Sequence, residues 1–375
     1  MISFLSVFPP FRGGIADFSH YLYKELEKIS TIRAYNYKNL YPDLLFPGKT
    51  QFAEENNADY AIPLLHSYNP LNWRHSTRIL SKDNPDLFIY SHWHPFFAPS
   101  NSYILNHLKK LNPDIKIAGI LHNVIPHENF PFQRTFLTSL FRKTDYPIVL
   151  SEKTLNEFRA LNLPAAPHKL FHPVYDQPAP DKPRSALRTE LNISDDETVV
   201  LFFGLVRKYK GLDILIDALN GLDLEELKIR PLIVGEFYVN QNELLGRIKA
   251  DHKNRYIIID RFITKHEVAK YLSISDVMVL PYRSASQSGI LSNAINFKLP
   301  VIISNLPGLM EHVEENKTGL TFEKENVEDL RDKIKRFQSD NLAPQFRPNL
   351  EYLRNKLTWK IFKDRLLDIT EYQIP

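Results

Sequence analysis

Several short stretches place residues capable of chemistry where an apolar run ends. In "FFGLVRKYKGLDILIDAL" (residues 202–219), Arg207 and Lys210, with Lys208 beside them, fall between a strand-like run and a helix-like one. Two fixed cations there neutralise a diphosphate, and a guanidinium binds phosphate oxygens in pairs. A solvated basic loop has the same composition, and the G-x-x-x-x-G-K-[ST] pattern of a P-loop is missing. In "SASQSGILSNAINFKLPVIIS" (residues 284–304), small polar residues precede a helical stretch. Bare N–H groups at a helix start receive an anion, or the polar residues simply cap the helix. In "FRGGIADF" (residues 11–18), Gly13 and Gly14 let the backbone approach a ligand closely. A tight turn reads the same way, and the G-x-G-x-x-G spacing of a dinucleotide site is lacking.

Histidines form the remaining cluster. "SHWHPFFAPS" and "ILHNVIPHE" contribute His92, His94, His122 and His127, with Glu128. H-x-H alone is a weak metal signature and no H-E-x-x-H is present, so no metal is expected. Loop packing beside Trp93 accounts for His92 and His94. His122 ends an apolar strand and is expected in a pocket. No Asp-x-Asp occurs in the chain, which removes a common motif for holding a nucleotide diphosphate through a metal.

The elements that must position these residues alternate between strand and helix twice over. "ISFLSVF", "DLFIYSH", "IKIAGILHN" and "YPIVLSE" read as strands of a first unit, and "ADFSHYLYKELEKI" as a helix. Prolines 173, 178, 180 and 183 make a stiff connector. The pattern then restarts with "TVVLFFG", "IRPLIVG", "RYIIIDRF", "DVMVLPY" and "PVIIS". The expected class is α/β: two Rossmann-like, doubly wound parallel sheets, residues 1–177 and 178–356, with ligands at the strand C-termini. The amphipathic helix in residues 357–375 either returns to the first domain or caps the second.

Composition sets outer bounds. The chain has 375 residues, 43% hydrophobic and 24% charged, a globular profile long enough for two domains. A net charge of +3, from 47 basic and 44 acidic residues, gives no reason to expect nucleic acid as partner. There are no cysteines, hence no disulfides and no thiolate chemistry. The N-terminus lacks a basic start and no run is long enough to span a bilayer, so a cytoplasmic protein is expected.

Taken together, "PPFRGGIADFS", "LHNVIPHE", "FFGLVRKYKGLDILIDAL" and "DVMVLPYRSASQSGILSNAINFKLPVIISNLPGLMEHVEENKTGLTF" resemble glycosyltransferase family 4, retaining enzymes with the GT-B fold. "LYPDLLFPGKTQF" (residues 40–52) resembles a loop of a bacterial, polysaccharide-type subgroup. The resemblance implies transfer of a sugar from a nucleoside diphosphate donor to a hydroxyl acceptor, without metal or other cofactor. It places Gly13 and Gly14 near the donor diphosphate, His122 on the donor sugar, and Arg207 and Lys210 on the diphosphate. Gln287, Ser288, Gly289 and Ile290 would receive the distal phosphate and sugar, with Phe262 beside the nucleobase. Many members carry two glutamates eight positions apart here, the second on the ribose; this chain has Ala285 and Asn293. A saccharide or lipid-linked acceptor follows, with peripheral contact at the inner membrane face suggested by "FQRTFLTSLFRK" (residues 132–143), which also reads as an ordinary helix. The alternatives are a nucleotide-sugar epimerase on the same scaffold and a non-catalytic nucleotide-sugar-binding protein.

Overall fold

A computed structural model describes residues 1–11, 13–41, 58–125, 131–175, 178–285 and 289–374. The chain divides into two compact units, Met1–His172 with Trp359–Pro375, and Pro173–Thr358.

The first unit is built on a parallel sheet. Its strands are β1 (Ile2–Leu5), β2 (Ile32–Asn39), β3 (Ala61–His66), β4 (Leu87–His92), β5 (Lys116–Leu121), β6 (Tyr146–Val149) and β7 (His168–Lys169), in the order β3-β2-β1-β4-β5-β6-β7. Every residue of β1 and β4 is buried. That is the mark of a sheet covered by helices on both faces, where near-continuous apolar runs replace alternation. Gly119 in β5 makes room for the Tyr90 ring: a Cβ at that glycine would lie 2.7 Å from the Tyr90 hydroxyl. The hydroxyl itself is satisfied by Thr144 at 2.7 Å.

The C-terminal helix Trp359–Ile369 packs on the helix Gly14–Leu26. Phe18 is the contact point, with ring centroids 4.9 Å from Trp359 and 5.4 Å from Phe362. Tyr21 stacks on Trp359 at 5.5 Å, and the Tyr372 hydroxyl shares a hydrogen bond with Ser30 at 2.7 Å. Edge-on aromatic pairs of this kind add to the area they bury. They explain why the end of the chain joins the first unit.

The second unit repeats the plan with β8 (Thr198–Phe203), β9 (Ile229–Val234), β10 (Ile257–Ile259), β11 (Val277–Leu280), β12 (Val301–Ser304) and β13 (Gly319–Phe322), in the order β10-β9-β8-β11-β12-β13, all parallel. A buried arginine braces the N-terminal end of this sheet. Arg188, 1% exposed, donates to the carbonyls of Ile274 at 3.1 Å, Ser194 at 3.0 Å and Glu197 at 3.1 Å, and to Asp276 Oδ2 at 2.5 Å. Asp276 Oδ2 also accepts from the Val199 amide at 2.9 Å, which ties the entry of β8 to the entry of β11. A guanidinium this deep persists only because its donors are met.

Candidate functional site

In the second unit, two glycines bring neighbouring turns together. Gly204 ends β8 with φ 104° and Gly235 ends β9 with φ 143°, both in the region that favours glycine. A Cβ on Gly235 would stand 2.2 Å from the Gly204 carbonyl oxygen. The turns are then zipped beyond the strands: Val206 N–H donates to the Glu236 carbonyl at 2.8 Å, and Tyr238 N–H to the Val206 carbonyl at 2.9 Å. The β8 turn closes through Gly211 (φ 69°), where a side chain would meet the Pro281 carbonyl at 2.0 Å.

Arg283 fastens this turn in place. It pairs with Asp213 at 2.7 Å and Glu325 at 2.9 Å, and donates to the Lys208 carbonyl at 2.8 Å. Its own amide donates to the Tyr209 carbonyl at 2.7 Å. Sequence reading missed Arg283 because its acidic partners lie far along the chain.

On this frame sit the two expected cations, and they differ. Lys210 is 9% exposed, with its Nζ 5.7 Å from the Tyr282 ring centroid and close to the Gly204 backbone. The same space borders Ile290: a Cβ built on Gly204 would lie 2.8 Å from Lys210 Nζ and 3.8 Å from Ile290 Cγ1. Burial, and then the charge of Arg207, push the Lys210 ammonium down to about 8. Arg207 is exposed, with its guanidinium carbon 5.0 Å from the Tyr238 ring centroid. Neither cation has a carboxylate against it among the described residues. A buried ammonium without a counter-charge is costly, and an anion arriving beside it removes that cost.

The structure also brings Ile290 to this end of the sheet. The helix Gly289–Asn296 starts at Gly289, where the space a Cβ would fill is open. Asn293 lies one turn in and is 9% exposed. Phe262, after β10, is 61% exposed, so its ring face is available for stacking. Gln287 and Ser288 lie outside the described residues.

The first unit presents a different end. His122 follows β5 directly, and its amide donates to the His92 carbonyl at 2.8 Å. Its ring meets the edge of Phe18 at 4.9 Å, it is 8% exposed, and its Nε2 has no hydrogen-bond partner among the described residues. Burial, then the neighbouring His172 and His92, hold its pKa down to about 3. The imidazole is therefore neutral and offers a hydrogen bond, not a charge. Gly13 caps the adjacent helix with φ 121°, and neither Gly13 nor Gly14 has an atom within 4 Å of where a Cβ would stand.

His92 departs from the expected loop packing, whereas His94 lies in the loop after β4. His92 is the last residue of β4 and fully buried, with both ring nitrogens unpartnered among the described residues; its pKa is pushed to about 3 by burial. His94 caps the following turn, its Nδ1 accepting from the Phe96 amide at 3.1 Å. Strand pairing continues to His92, the last residue of the strand-like run "DLFIYSH". His127 and Glu128 lie outside the described residues, as does most of residues 40–52. Among the described residues no three His, Asp or Glu side chains converge as metal ligands.

Comparison with known proteins gives these geometries a context. Residues 183–353 match the family described as Glycosyl transferases group 1. Spore coat protein SA of Bacillus subtilis (strain 168) is 27% identical over 157 residues, 40% of this chain and 41% of that protein. The O-antigen biosynthesis glycosyltransferase WclY of Escherichia coli is 26% identical over 191 residues, 51% of each. The chain thus spans about half the length of the curated relatives it matches. The crystal structure of Anabaena Alr3699/HepE in complex with UDP superposes with a TM-score of 0.75 at 15% identity, covering 99% of this chain and 100% of that one. Residues 183–353 are thus similar to the glycosyl transferases group 1 family, in a chain with the GT-B fold.

Proposed function

We propose that this protein is a metal-independent, retaining glycosyltransferase of family 4, moving a hexosyl or N-acetylhexosaminyl group from a nucleoside diphosphate donor to a hydroxyl acceptor. The observation that carries the reading is Lys210: a buried ammonium beside Arg207, with no carboxylate on either among the described residues. A diphosphate supplies the missing negative charge.

In the transfer, the bond from the sugar anomeric carbon to the β-phosphate oxygen breaks, and the phosphate leaves with the electron pair. Arg207 and Lys210 stabilise the charge that grows there. The acceptor oxygen bonds to the anomeric carbon on the face the phosphate has left, and its proton passes to the departing phosphate oxygen. His122, neutral, hydrogen-bonds the donor sugar. Gly13, Gly14, Gln287, Ser288, Gly289 and Ile290 approach the donor through the backbone, Phe262 stacks on the base, and Asn293 contacts the ribose.

UDP in the HepE structure supports a nucleoside diphosphate as ligand. The naming of WclY supports a role in polysaccharide assembly, with a saccharide or lipid-linked acceptor. Among the described residues no helix is long and apolar enough to cross a membrane. The exposed Arg134 on the helix Gln133–Phe141 and the exposed Arg142 that caps its end suit peripheral contact with an anionic, inner membrane face of a cytoplasmic enzyme.

The test is a panel of nucleotide sugars read by thermal shift, because a ligand that binds only the folded state raises its melting point. The responding donor is then supplied with saccharide acceptors, and the anomeric configuration of the product is assigned by NMR. The proposal expects one donor to stabilise the chain and a product of retained configuration. Inversion would overturn the mechanism, and conversion of the donor sugar without acceptor would make the protein an epimerase.

A further inference from the structure

We propose that Tyr238 is a positioning residue: its ring is the platform that holds the Arg207 guanidinium over the diphosphate position. The inference rests on the reading of Arg207 as a diphosphate ligand. Three observations meet here. First, Arg207 is exposed and among the described residues has no carboxylate to fix its long side chain, yet its guanidinium carbon lies 5.0 Å from the Tyr238 ring centroid. That is within range of a cation–π contact, which orients a guanidinium without cancelling its charge. An ion pair would hold the arginine equally well and would compete with the ligand.

Second, the platform is itself anchored. The Tyr238 amide donates to the Val206 carbonyl at 2.9 Å, one residue before Arg207, so ring and guanidinium rise from backbones pinned to each other. The preceding amide, of Phe237, donates to Asp260 Oδ1 at 3.1 Å, which steadies the same turn from the β10 side. Gly204 and Gly235 allow this close approach.

Third, Tyr238 is 55% exposed, so the ring is not there to fill a core. Its hydroxyl makes one long contact, 3.4 Å to Glu236 Oε2, which leaves the ring face as the part that matters.

The experiment is calorimetric binding of UDP, GDP and inorganic pyrophosphate to the full chain. Variants are Tyr238→Leu, which keeps bulk but removes the π face, Tyr238→Phe, which keeps the face, and each combined with Arg207→Ala. Tyr238→Leu is expected to weaken diphosphate binding roughly two- to fivefold, the size of an exposed cation–π contact. Tyr238→Phe should stay at the wild-type value. In the Arg207→Ala background, Tyr238→Leu should add nothing, and melting points should not move. If Tyr238→Leu binds like wild type while Arg207→Ala is weakened, the platform role is overturned and the diphosphate reading survives. If Tyr238→Phe is as weak as Tyr238→Leu, the hydroxyl and not the face is at work, which also overturns it. If Arg207→Ala binds as wild type, or none of the three probes binds, the diphosphate reading itself falls and takes this inference with it.

Discussion

The turn after β5 and the turn after β8 each follow the C-terminal end of a strand in a parallel sheet, yet they are built for opposite electrostatics. After β5, His122 is walled by Phe18 and held neutral, with its pKa near 3. After β8, Lys210 and Arg207 keep two cations together with no carboxylate against either among the described residues, one of them buried. The scaffold therefore decides where a ligand is met, and the side chains at each turn decide what part of it. A neutral donor or acceptor suits hydroxyl groups, and a cationic pair suits phosphate. The proposed assignment of sugar to one turn and diphosphate to the other fits that difference.

Removing charge from the second turn should break the comparison most severely. Lys210→Ala and Arg207→Ala are each expected to cost about 1.5 to 3 kcal/mol of transition-state stabilisation, measured as kcat/KM for the donor. Wild-type kinetics in both would detach the phosphate from this turn. A smaller and differently distributed loss is expected at the first turn. His122→Ala should lower kcat more than it weakens nucleotide binding, because its contact is to the sugar. Loss of nucleotide binding in that variant would make the two turns alike and the histidine structural.

The pH response should separate the turns further. Lys210 loses its proton near pH 8, so diphosphate affinity should fall as pH rises through about 8, and Lys210→Arg should flatten that fall. Stability moves the other way at the first turn. His122 and His92 have folded pKa values near 3 against 6.5 for the free group. The unfolded chain therefore binds protons first, and stability present above pH 6.5 is lost progressively toward pH 3. Melting points between pH 7 and 4 check this; a flat profile contradicts the buried neutral pair. The smallest effect is at the helix Gly289–Asn296. Asn293→Ala should weaken nucleotide binding by about 0.5 to 1.5 kcal/mol, and Asn293→Glu should tighten it. If neither changes affinity, the ribose is held elsewhere.

Much of this was legible in the chain, for identifiable reasons. β4, β5, β8, β9 and β11 contain apolar runs that end at polar, glycine or proline residues, so both their existence and their ends could be read. β2 was not: Arg33, Asn36 and Lys38 interrupt its pattern. Asn36 is nonetheless buried, its amide group exchanging hydrogen bonds with the Phe8 amide at 3.1 Å and the Phe8 carbonyl at 3.1 Å. A polar residue satisfied from 28 positions away is invisible to periodicity. β3 was hidden by Pro63, which an edge strand tolerates. At the site, Arg207 and Lys210 were visible as a basic turn after a strand. Tyr238 and Arg283 were not, because what makes them matter is a neighbouring strand's turn and a pair of distant carboxylates. The separate characters of the two cations, one buried and one laid on a ring, likewise came only with tertiary structure.

The central claim is that the cationic turn after β8 holds the donor diphosphate without a metal ion. It is tested most directly by calorimetric titration of UDP and GDP into the full chain in the presence of EDTA, for wild type and for the Arg207→Ala, Lys210→Ala double variant. The account predicts that wild type binds one of these nucleotides in EDTA, that added divalent cation changes the affinity little, and that the double variant loses binding while keeping its melting point. Binding that requires a divalent cation and is indifferent to the double substitution would contradict it.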